Sequence, residues 1–228
     1  MEPFVFESRA SDSPFVDSIW RTISSEGGTF ISIAQSYVSL VVTRQRGKTW
    51  VSLMGPETVA THAGVPDHAE FFGIVFKLGT YLPHIPTRQL VDAHIDLPDA
   101  SARTVWMHGA ACELPTFENA DTFVSRLIRD GSLSREPTIA DVIGGRIPDV
   151  SSRTLQRRFV HAAGISQGTM LQIERARHAL ELLERGTPIL DVVALAGYSD
   201  QPHLTRAVRL YTGQTPAQIL RAPAIRSS

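Results

Sequence analysis

The sequence contains little of several features that mark specialised classes of protein. Its 228 residues include one cysteine, Cys112, and one cysteine cannot form an intramolecular disulfide. No apolar run is long enough to cross a bilayer, and the first residues lack the pattern of a secretory signal peptide. These absences predict a cytoplasmic protein that does not associate with membranes.

Lysine is also scarce, because Lys48 and Lys77 are the two lysines and arginine supplies the remaining basic side chains. Residues 1–150 hold 12 Lys and Arg against 18 Asp and Glu, a net charge of −6. Residues 151–228 hold 10 Arg against 5 Asp and Glu, a net charge of +5. A basic C-terminal part is typical of a module that binds a polyanion, although a solvated cationic surface has the same composition.

The first hundred residues favour strands. With 43% hydrophobic residues the chain can bury a core, and length favours one or two globular domains. Segments rich in β-branched and aromatic residues start at Tyr37, Thr49 and Glu70, and Arg46-Gly47-Lys48 is typical of a hairpin turn. After Pro98 the pattern predicts helices, first over residues 101–110 and then over residues 117–131.

Candidate metal ligands and nucleophiles are few in this part. His62, His68 and His84 invite a metal site, but His62 and His68 are six positions apart and lack the HxH spacing of metal-binding cupins. Cys112 has no neighbouring His or Asp that would activate it. We therefore expect no metal, no cofactor and no catalytic residue, and hence no enzyme.

The second part of the chain has a helical apolar period almost throughout. Helices are predicted to start near Ile139, Ser152, Gly168, Pro188, Gln201 and Thr215. A linker is predicted from Gly131, in the stretch GSLSREP. We place the domain boundary there, with a β-rich domain over residues 1–130 and a helical domain over residues 131–228.

Two stretches of the helical part are similar to each other. LQRRFVHAAGIS begins at Leu155, and LTRAVRLYTGQT begins 49 residues later, at Leu204. On a helix each copy has an apolar stripe and turns arginine to the other side. A shorter helix and a turn precede each copy, which is the helix-turn-helix arrangement. Ser152, and Ser199 or Asp200, are the expected N-caps, and would leave amide groups that face a phosphate.

The chain resembles the AraC/XylS family of transcription regulators over residues 136–222. The specific motifs are SRTLQRRF at Ser152, RARHALELL at Arg175, AGYSDQPHLTRA within the segment that starts at Ile189, and TGQTPAQIL at Thr212. The resemblance implies an α+β protein, in which a β-rich, cupin-like sensor or dimerisation domain precedes an all-α domain. In that helical domain a central helix would join two helix-turn-helix units that enter successive major grooves.

The family's base-contacting positions, transferred to this sequence, fall on three residues of the first helix-turn-helix unit and five of the second: Arg153, Gln156 and Arg157, and Gln201, Pro202, His203, Thr205 and Arg206. Arginine suits a bidentate contact to guanine and glutamine one to adenine. We expect Arg158, Arg175 and Arg177 to be surface charges or to contact phosphate. The first turn is one residue longer than the second. The DNA-binding candidates are Arg153, Gln156, Arg157, Arg158, Gln201, Pro202, His203, Thr205, Arg206 and Arg209.

The function that the resemblance implies is sequence-specific DNA binding in transcription regulation, with a response to a small molecule through the N-terminal domain. The implied partners are double-stranded DNA, a small-molecule effector, a second copy in a homodimer, and RNA polymerase. The alternative is a cupin-like enzyme, or a DNA-repair-type regulator with a fused DNA-binding domain. The missing metal and nucleophile motifs favour the regulator.

Overall fold

A computed structural model describes residues 4–98, 100–101, 103–107 and 109–221 of the chain. The chain divides into two compact units. The first comprises Met1–Thr29, Tyr37–Pro56 and Gly64–Ser166, and the second comprises Phe30–Ser36, Glu57–Ala63 and Gln167–Ser228. The boundary predicted near residue 131 lies inside the first unit. The domains 1–130 and 131–228 therefore stay a prediction.

Strands dominate the first half of the chain, as predicted. The strands are β1 (Phe4–Ala10), β2 (Val16–Ser24), β3 (Gly28–Ser32), β4 (Ser39–Gln45), β5 (Lys48–Met54), β6 (Thr61–Val65), β7 (Ala69–Phe76), β8 (Thr80–Tyr81), β9 (His94–Asp96), β10 (Thr104–Met107), β11 (Ala110–Glu113) and β12 (Ser134–Arg135). Six of them form one sheet in the order β1-β2-β7-β4-β5-β9, and neighbours in it are antiparallel. The pairs β10-β11, β12-β8 and β3-β6 are separate.

The hairpin between β4 and β5 confirms the predicted turn. Arg46 and Gly47 both have positive φ, at 49° and 77°, and the residues on either side of them pair across the strands. Two successive positive φ angles define the two-residue turn whose twist matches that of a hairpin. The turn thus sets the register that places Val42 and Val51 in the core.

Buried side chains on one face of the large sheet form the core of the first unit. Ile19, Leu40 and Ile74 are fully buried and belong to one cluster with residues of α1, the helix Ala120–Arg129. The helix contributes Phe123, Val124 and Leu127, the stripe that its apolar spacing predicts. Packing of a helix stripe on a sheet face accounts for this part of the fold.

The predicted helix over residues 101–110 is wrong, because this segment begins a β-hairpin made of β10 and β11. Val105 and Met107 are buried whereas Trp106 between them is exposed, and Cys112 is buried between exposed Ala111 and Glu113. This alternation has the period of two that a strand with one buried face requires. The predicted linker after Gly131 likewise contains β12, which pairs with β8.

Helices make up the second part of the chain, close to the predicted starts. They are α2 (Pro137–Ile143), α3 (Ser152–Ala163), α4 (Gln167–Glu184), α5 (Ile189–Leu195), α6 (Gln201–Thr212) and α7 (Pro216–Arg221). The order of a β-rich part followed by a helical part is confirmed. Within the described ranges, no helix has both the length and the apolar character needed to span a membrane.

The end of α3 provides a test of local packing. Gly164 has φ +74°, and a Cβ there would lie 2.9 Å from the Thr87 carbonyl oxygen, whereas Gly145 has φ +73° with open space around it. We expect Gly145→Ala to cost about 1–2 kcal/mol, the penalty of the left-handed conformation. Gly164→Ala should cost more, because a backbone atom must also move. Urea unfolding of the full chain measures the free energy of unfolding of both variants. Equal losses of stability would contradict the predicted collision of the Cβ added by Gly164→Ala with the Thr87 carbonyl oxygen.

Candidate nucleic-acid interface

Helix α3 is fixed at both ends by capping residues. Ser151 has an extended backbone, and its hydroxyl accepts a hydrogen bond from the Thr154 amide at 3.2 Å. The N-cap is therefore Ser151 and not Ser152 as predicted, because Ser152 already has its place in the first turn. At the other end Gly164 adopts the left-handed conformation that terminates helices.

The two sides of α3 differ in polarity as the repeat predicts. Phe159 and Ala162 are fully buried in the first unit, which orients the rest of the helix. Arg153, Gln156 and Arg157 are exposed, and they line one shallow depression of about 530 Å³ together with two half-buried neighbours on the helix. This face presents two guanidinium groups and one amide to an incoming partner.

Arg158 stands apart from these neighbours. Its guanidinium donates to the hydroxyl of Thr138 and lies 3.6 Å from the carboxylate of Glu136, the residue that caps α2. Adjacent helix positions differ by about 100° in direction, and these contacts turn Arg158 away from the face that carries Arg153 and Arg157. The structure thus places Arg158 against α2, and the phosphate contact expected of it stays a prediction.

Helix α6 is capped in a similar way to α3. The carboxylate of Asp200 accepts a hydrogen bond from the His203 amide at 2.7 Å, and Gly213 ends the helix with φ +75°. The bond from the His203 amide, helped by Ser199 and by the charge of Arg206, lowers the pKa of Asp200. The helix N-terminus therefore carries an ionised carboxylate at neutral pH.

The two sides of α6 are also divided into buried and exposed residues. Leu204 and Val208 are fully buried, and Tyr211 nearly so. The exposed candidates are Gln201, Pro202, Arg206 and Arg209, while His203 and Thr205 are half-buried. The Thr205 hydroxyl donates back to the Gln201 carbonyl at 2.9 Å, and the His203 ring meets Ser199 and Tyr198.

Burial of the α6 stripe depends on the helices around it. Leu183 of α4, Val192 of α5 and Ile219 of α7 belong to one core cluster with Leu204 and Val208. These elements form the second helix-turn-helix unit and its support. The stripe of α6 is therefore held against three helices, which directs its opposite face outward.

Two segments from the β-rich part complete this unit, and sequence reasoning missed them. The Ala34 amide donates to the Tyr211 carbonyl at 2.8 Å, and the Ala60 amide donates to the Leu210 carbonyl at 2.9 Å. These carbonyls lie in the last turn of α6, where the helix itself leaves acceptors unused. Backbone-to-backbone bonds have no side-chain signature that could have revealed this contact.

The connection that precedes α3 is longer than its counterpart. Eight residues separate α2 from α3, whereas five separate α5 from α6. The sequence predicted a difference of one residue, and the larger difference arises because α2 ends soon after Asp141, at Gly144 and Gly145. The first helix-turn-helix unit is therefore the less compact of the two.

The histidines considered for a metal site fall at separate places in the fold. His62 lies on β6, His68 is in the turn before β7 with φ 47°, and His84 lies beside a cavity of about 390 Å³. Over the part of the chain that the structure describes, no three His, Cys, Asp or Glu side chains are grouped to hold a metal.

Comparison with known proteins bears on the C-terminal part. Residues 146–222 match the family described as "Helix-turn-helix domain". HTH-type transcriptional regulator RipA of Corynebacterium glutamicum is 39% identical over 71 residues, which are 31% of this chain and 22% of RipA. HTH-type transcriptional regulator VirS of Mycobacterium tuberculosis is 37% identical over 94 residues, 41% of this chain and 26% of VirS. The chain thus spans about a quarter of the length of these curated relatives.

Solved structures of ToxT from Vibrio cholerae are similar over most of the chain. One covers 94% of this chain and 97% of ToxT, with a TM-score of 0.40 and 10% identity. Another covers 98% of this chain and 100% of ToxT, with a TM-score of 0.42 and 9% identity. At such values the likeness carries no argument about this chain.

The cap of α6 predicts a pH-dependent stability. Because the folded pKa of Asp200 lies below its ordinary 3.8, its charge stabilises the fold above that pH and ceases to do so as pH falls through the folded pKa. We expect Asp200→Asn, which keeps a capping oxygen, to unfold at lower urea than the native chain at pH 7. The difference should shrink as the pH is lowered below 3.8. A difference that stays constant with pH would refute the role of the charge.

Proposed function

We propose that this protein, in which residues 146–222 match a helix-turn-helix family, is a sequence-specific DNA-binding transcriptional regulator of the AraC type. The observation that carries the proposal is that α3 and α6 each bury an apolar stripe and expose arginine and glutamine on the other side. Helices of this kind, preceded by a shorter helix and a turn, enter the major groove of DNA. The names of RipA and VirS as transcriptional regulators support the proposal.

Arg157 and Arg206 are the proposed principal base readers. They occupy equivalent positions in the two copies of the repeat, and both are exposed. A guanidinium can donate two parallel hydrogen bonds to guanine, and an amide such as that of Gln156 or Gln201 suits adenine. Pro202 has no donor to offer, so we assign it to apolar contact with the groove.

The other candidates have supporting roles in this proposal. Arg153 and Arg209 are further exposed cations on the two outward faces, and we assign them to phosphate contacts. Arg158 is better assigned to holding α2 on α3, since its guanidinium donates to Thr138 and lies 3.6 Å from the Glu136 carboxylate. His203 and Thr205 already make hydrogen bonds within the second unit and can add contacts with their remaining atoms.

A small-molecule effector is also part of the proposal. The first unit has a cavity of about 480 Å³ at one end of the large sheet. Its walls combine apolar side chains such as Val42 and Phe72 with charged ones such as Arg44 and Glu70. The volume is within the range of small-molecule sites, as is the mixture of an apolar lining with a few charges. Homodimer formation, contact with RNA polymerase and a cytoplasmic location stay predictions.

The cavity can be tested without knowledge of the effector. The probe is the dialysable fraction of an extract of the cells from which the chain comes, added to the purified chain during thermal unfolding. We expect a higher midpoint for the native chain and a smaller rise for Ile23→Trp, since Ile23 is a partly exposed residue of the cavity wall. An equal rise in the unfolding midpoint of the two proteins would mean that the small molecule binds outside this cavity.

The base-reading roles are tested by selecting binding sites from random DNA with the full chain. We expect Arg206→Ala and Arg157→Ala each to weaken binding to the native consensus by about 1–3 kcal/mol and to relax the preference at one half of the site. Arg158→Ala is the matched control on α3. It should preserve the consensus and lower stability instead, because it removes contacts to α2.

Two results would count against the proposal. If the native chain enriched no sequence, it would not be a sequence-specific DNA-binding protein. If Arg206→Ala returned the native consensus at the native strength, α6 would not read bases. Retained folding of each variant is checked by circular dichroism before selection.

A further inference from the structure

A cleft of about 290 Å³ lies between α4 and one flank of α6 in the second unit. Gln172 and Arg175 of α4 form one wall, and His203 and Arg206 of α6 form the other. The ring of Tyr198 is part of the lining, with the guanidinium of Arg175 over it at 5.8 Å. The cleft is thus bordered by two arginines from different helices.

The charges around this cleft are unbalanced. Of the residues that line it, none is acidic. Across the described part of the chain, Arg175 and Arg206 form no ion pair and donate no hydrogen bond. Arg175 lies over the Tyr198 ring, and Arg206 interacts electrostatically with Asp200, which does not line the cleft. Two like charges that border one cleft repel each other, and an anion between them would replace that repulsion by attraction. The cleft therefore has the charge of an anion site.

The amide of Gln172 adds a neutral donor to the cleft. Its Oε1 accepts a hydrogen bond from the Tyr211 hydroxyl at 2.8 Å, which fixes the side chain and leaves the NH₂ group with its donors. Guanidinium and amide donors together suit the oxygens of a phosphate, because a guanidinium can bind two of them at once. The chemistry of the lining thus selects an oxyanion.

The position of the cleft relates it to the DNA backbone. The major groove is about 12 Å wide and a helix with its side chains about 10–12 Å across, so the phosphates that border the groove touch the flanks of the helix. The other usual phosphate site, the helix N-terminus, is occupied in α6 by the ionised Asp200. A phosphate beside α6 is therefore better placed at the flank.

We propose that this cleft binds one phosphate of the DNA strand bordering the groove that α6 enters, with Arg175 as its principal ligand and Gln172 as its second. The inference rests on the proposed function and extends it to α4. Arg206 borders the cleft and keeps its proposed role in reading bases. In this proposal Arg175 fixes how deeply and at what angle α6 enters the major groove. It contacts no base and therefore does not contribute to sequence preference.

The experiment measures equilibrium binding of the full chain to its selected site and to an unrelated duplex over a range of salt. We expect Arg175→Ala to weaken both about tenfold, the loss of a hydrogen-bonded charge pair. The slope of log K against log salt should fall by about 0.9, the value for one phosphate, while the consensus is unchanged. Arg175→Lys should keep the slope and regain part of the affinity.

Arg185→Ala is the matched control, since Arg185 is an exposed arginine just beyond α4 that does not line the cleft. It should change affinity and slope less than Arg175→Ala does. An equal effect of the two variants would mean that only the total charge matters, and would overturn the proposal. The proposal would also be overturned if Arg175→Ala changed neither the affinity nor the salt slope while the native chain bound its site. In that case the proposed function would stand without this phosphate contact.

Inorganic phosphate distinguishes a DNA phosphate from a free anion. If phosphate alone bound the native chain but not Arg175→Ala, while both bound DNA equally, the cleft would be a site for a free anion and the proposal would be wrong. If the native chain bound no DNA at all, the proposed function would fail together with this inference. Reduced DNA affinity with the smaller salt slope supports the DNA phosphate.

Discussion

The structure of the candidate interface depends on the burial of one apolar stripe on each of two helices. Phe159 on α3 and Leu204 on α6 are fully buried, and burial of such a side chain stabilises a fold by about 1.5–3 kcal/mol. Because a helix turns by about 100° per residue, burying one side determines which residues face away. The exposure of Arg157 and Arg206 is thus a consequence of how each helix packs.

Much of the helical part could be predicted from the sequence because its signals are local. The apolar period identified all six helices from α2 to α7, and glycines such as Gly164 and Gly213 end two of them. The strands around Val42 and Val51 were predictable for the same reason, since a hairpin turn joins them. The segment around Val105 and Met107 was not, because a short run of small and apolar residues fits a helix as well as a strand until its partner strand is known.

The contacts that connect distant parts of the sequence could not be predicted. Ala34 and Ala60 donate backbone hydrogen bonds to the end of α6, and Arg177 donates to the Ala34 carbonyl at 3.3 Å. Each of these hydrogen bonds is accepted by a main-chain carbonyl, which every residue has. No sequence motif therefore indicates where the contact will form. The same holds for the compact unit itself, which draws Phe30–Ser36 and Glu57–Ala63 from the β-rich part. The apolar period therefore located the helices from α2 to α7, whereas the contacts between segments that are distant in the sequence had no local signal.

The distribution of arginine partners refines what the net charge of the C-terminal part means for DNA binding. Its ten arginines are equal in a count of charges, but Arg158 is bonded to Thr138 and lies near Glu136, and Arg177 is bonded to the main chain. A guanidinium that is already held by a hydrogen bond within the protein gains less from a phosphate than one that is not, where it must give up that bond to reach the phosphate. Within the residues that the structure describes, Arg175 and Arg206 donate no hydrogen bond, although Arg175 lies over the Tyr198 ring and Arg206 interacts electrostatically with Asp200. The proposed reach of this domain on DNA is accordingly set less by how many arginines it has than by which of them keep their hydrogen-bond donors available.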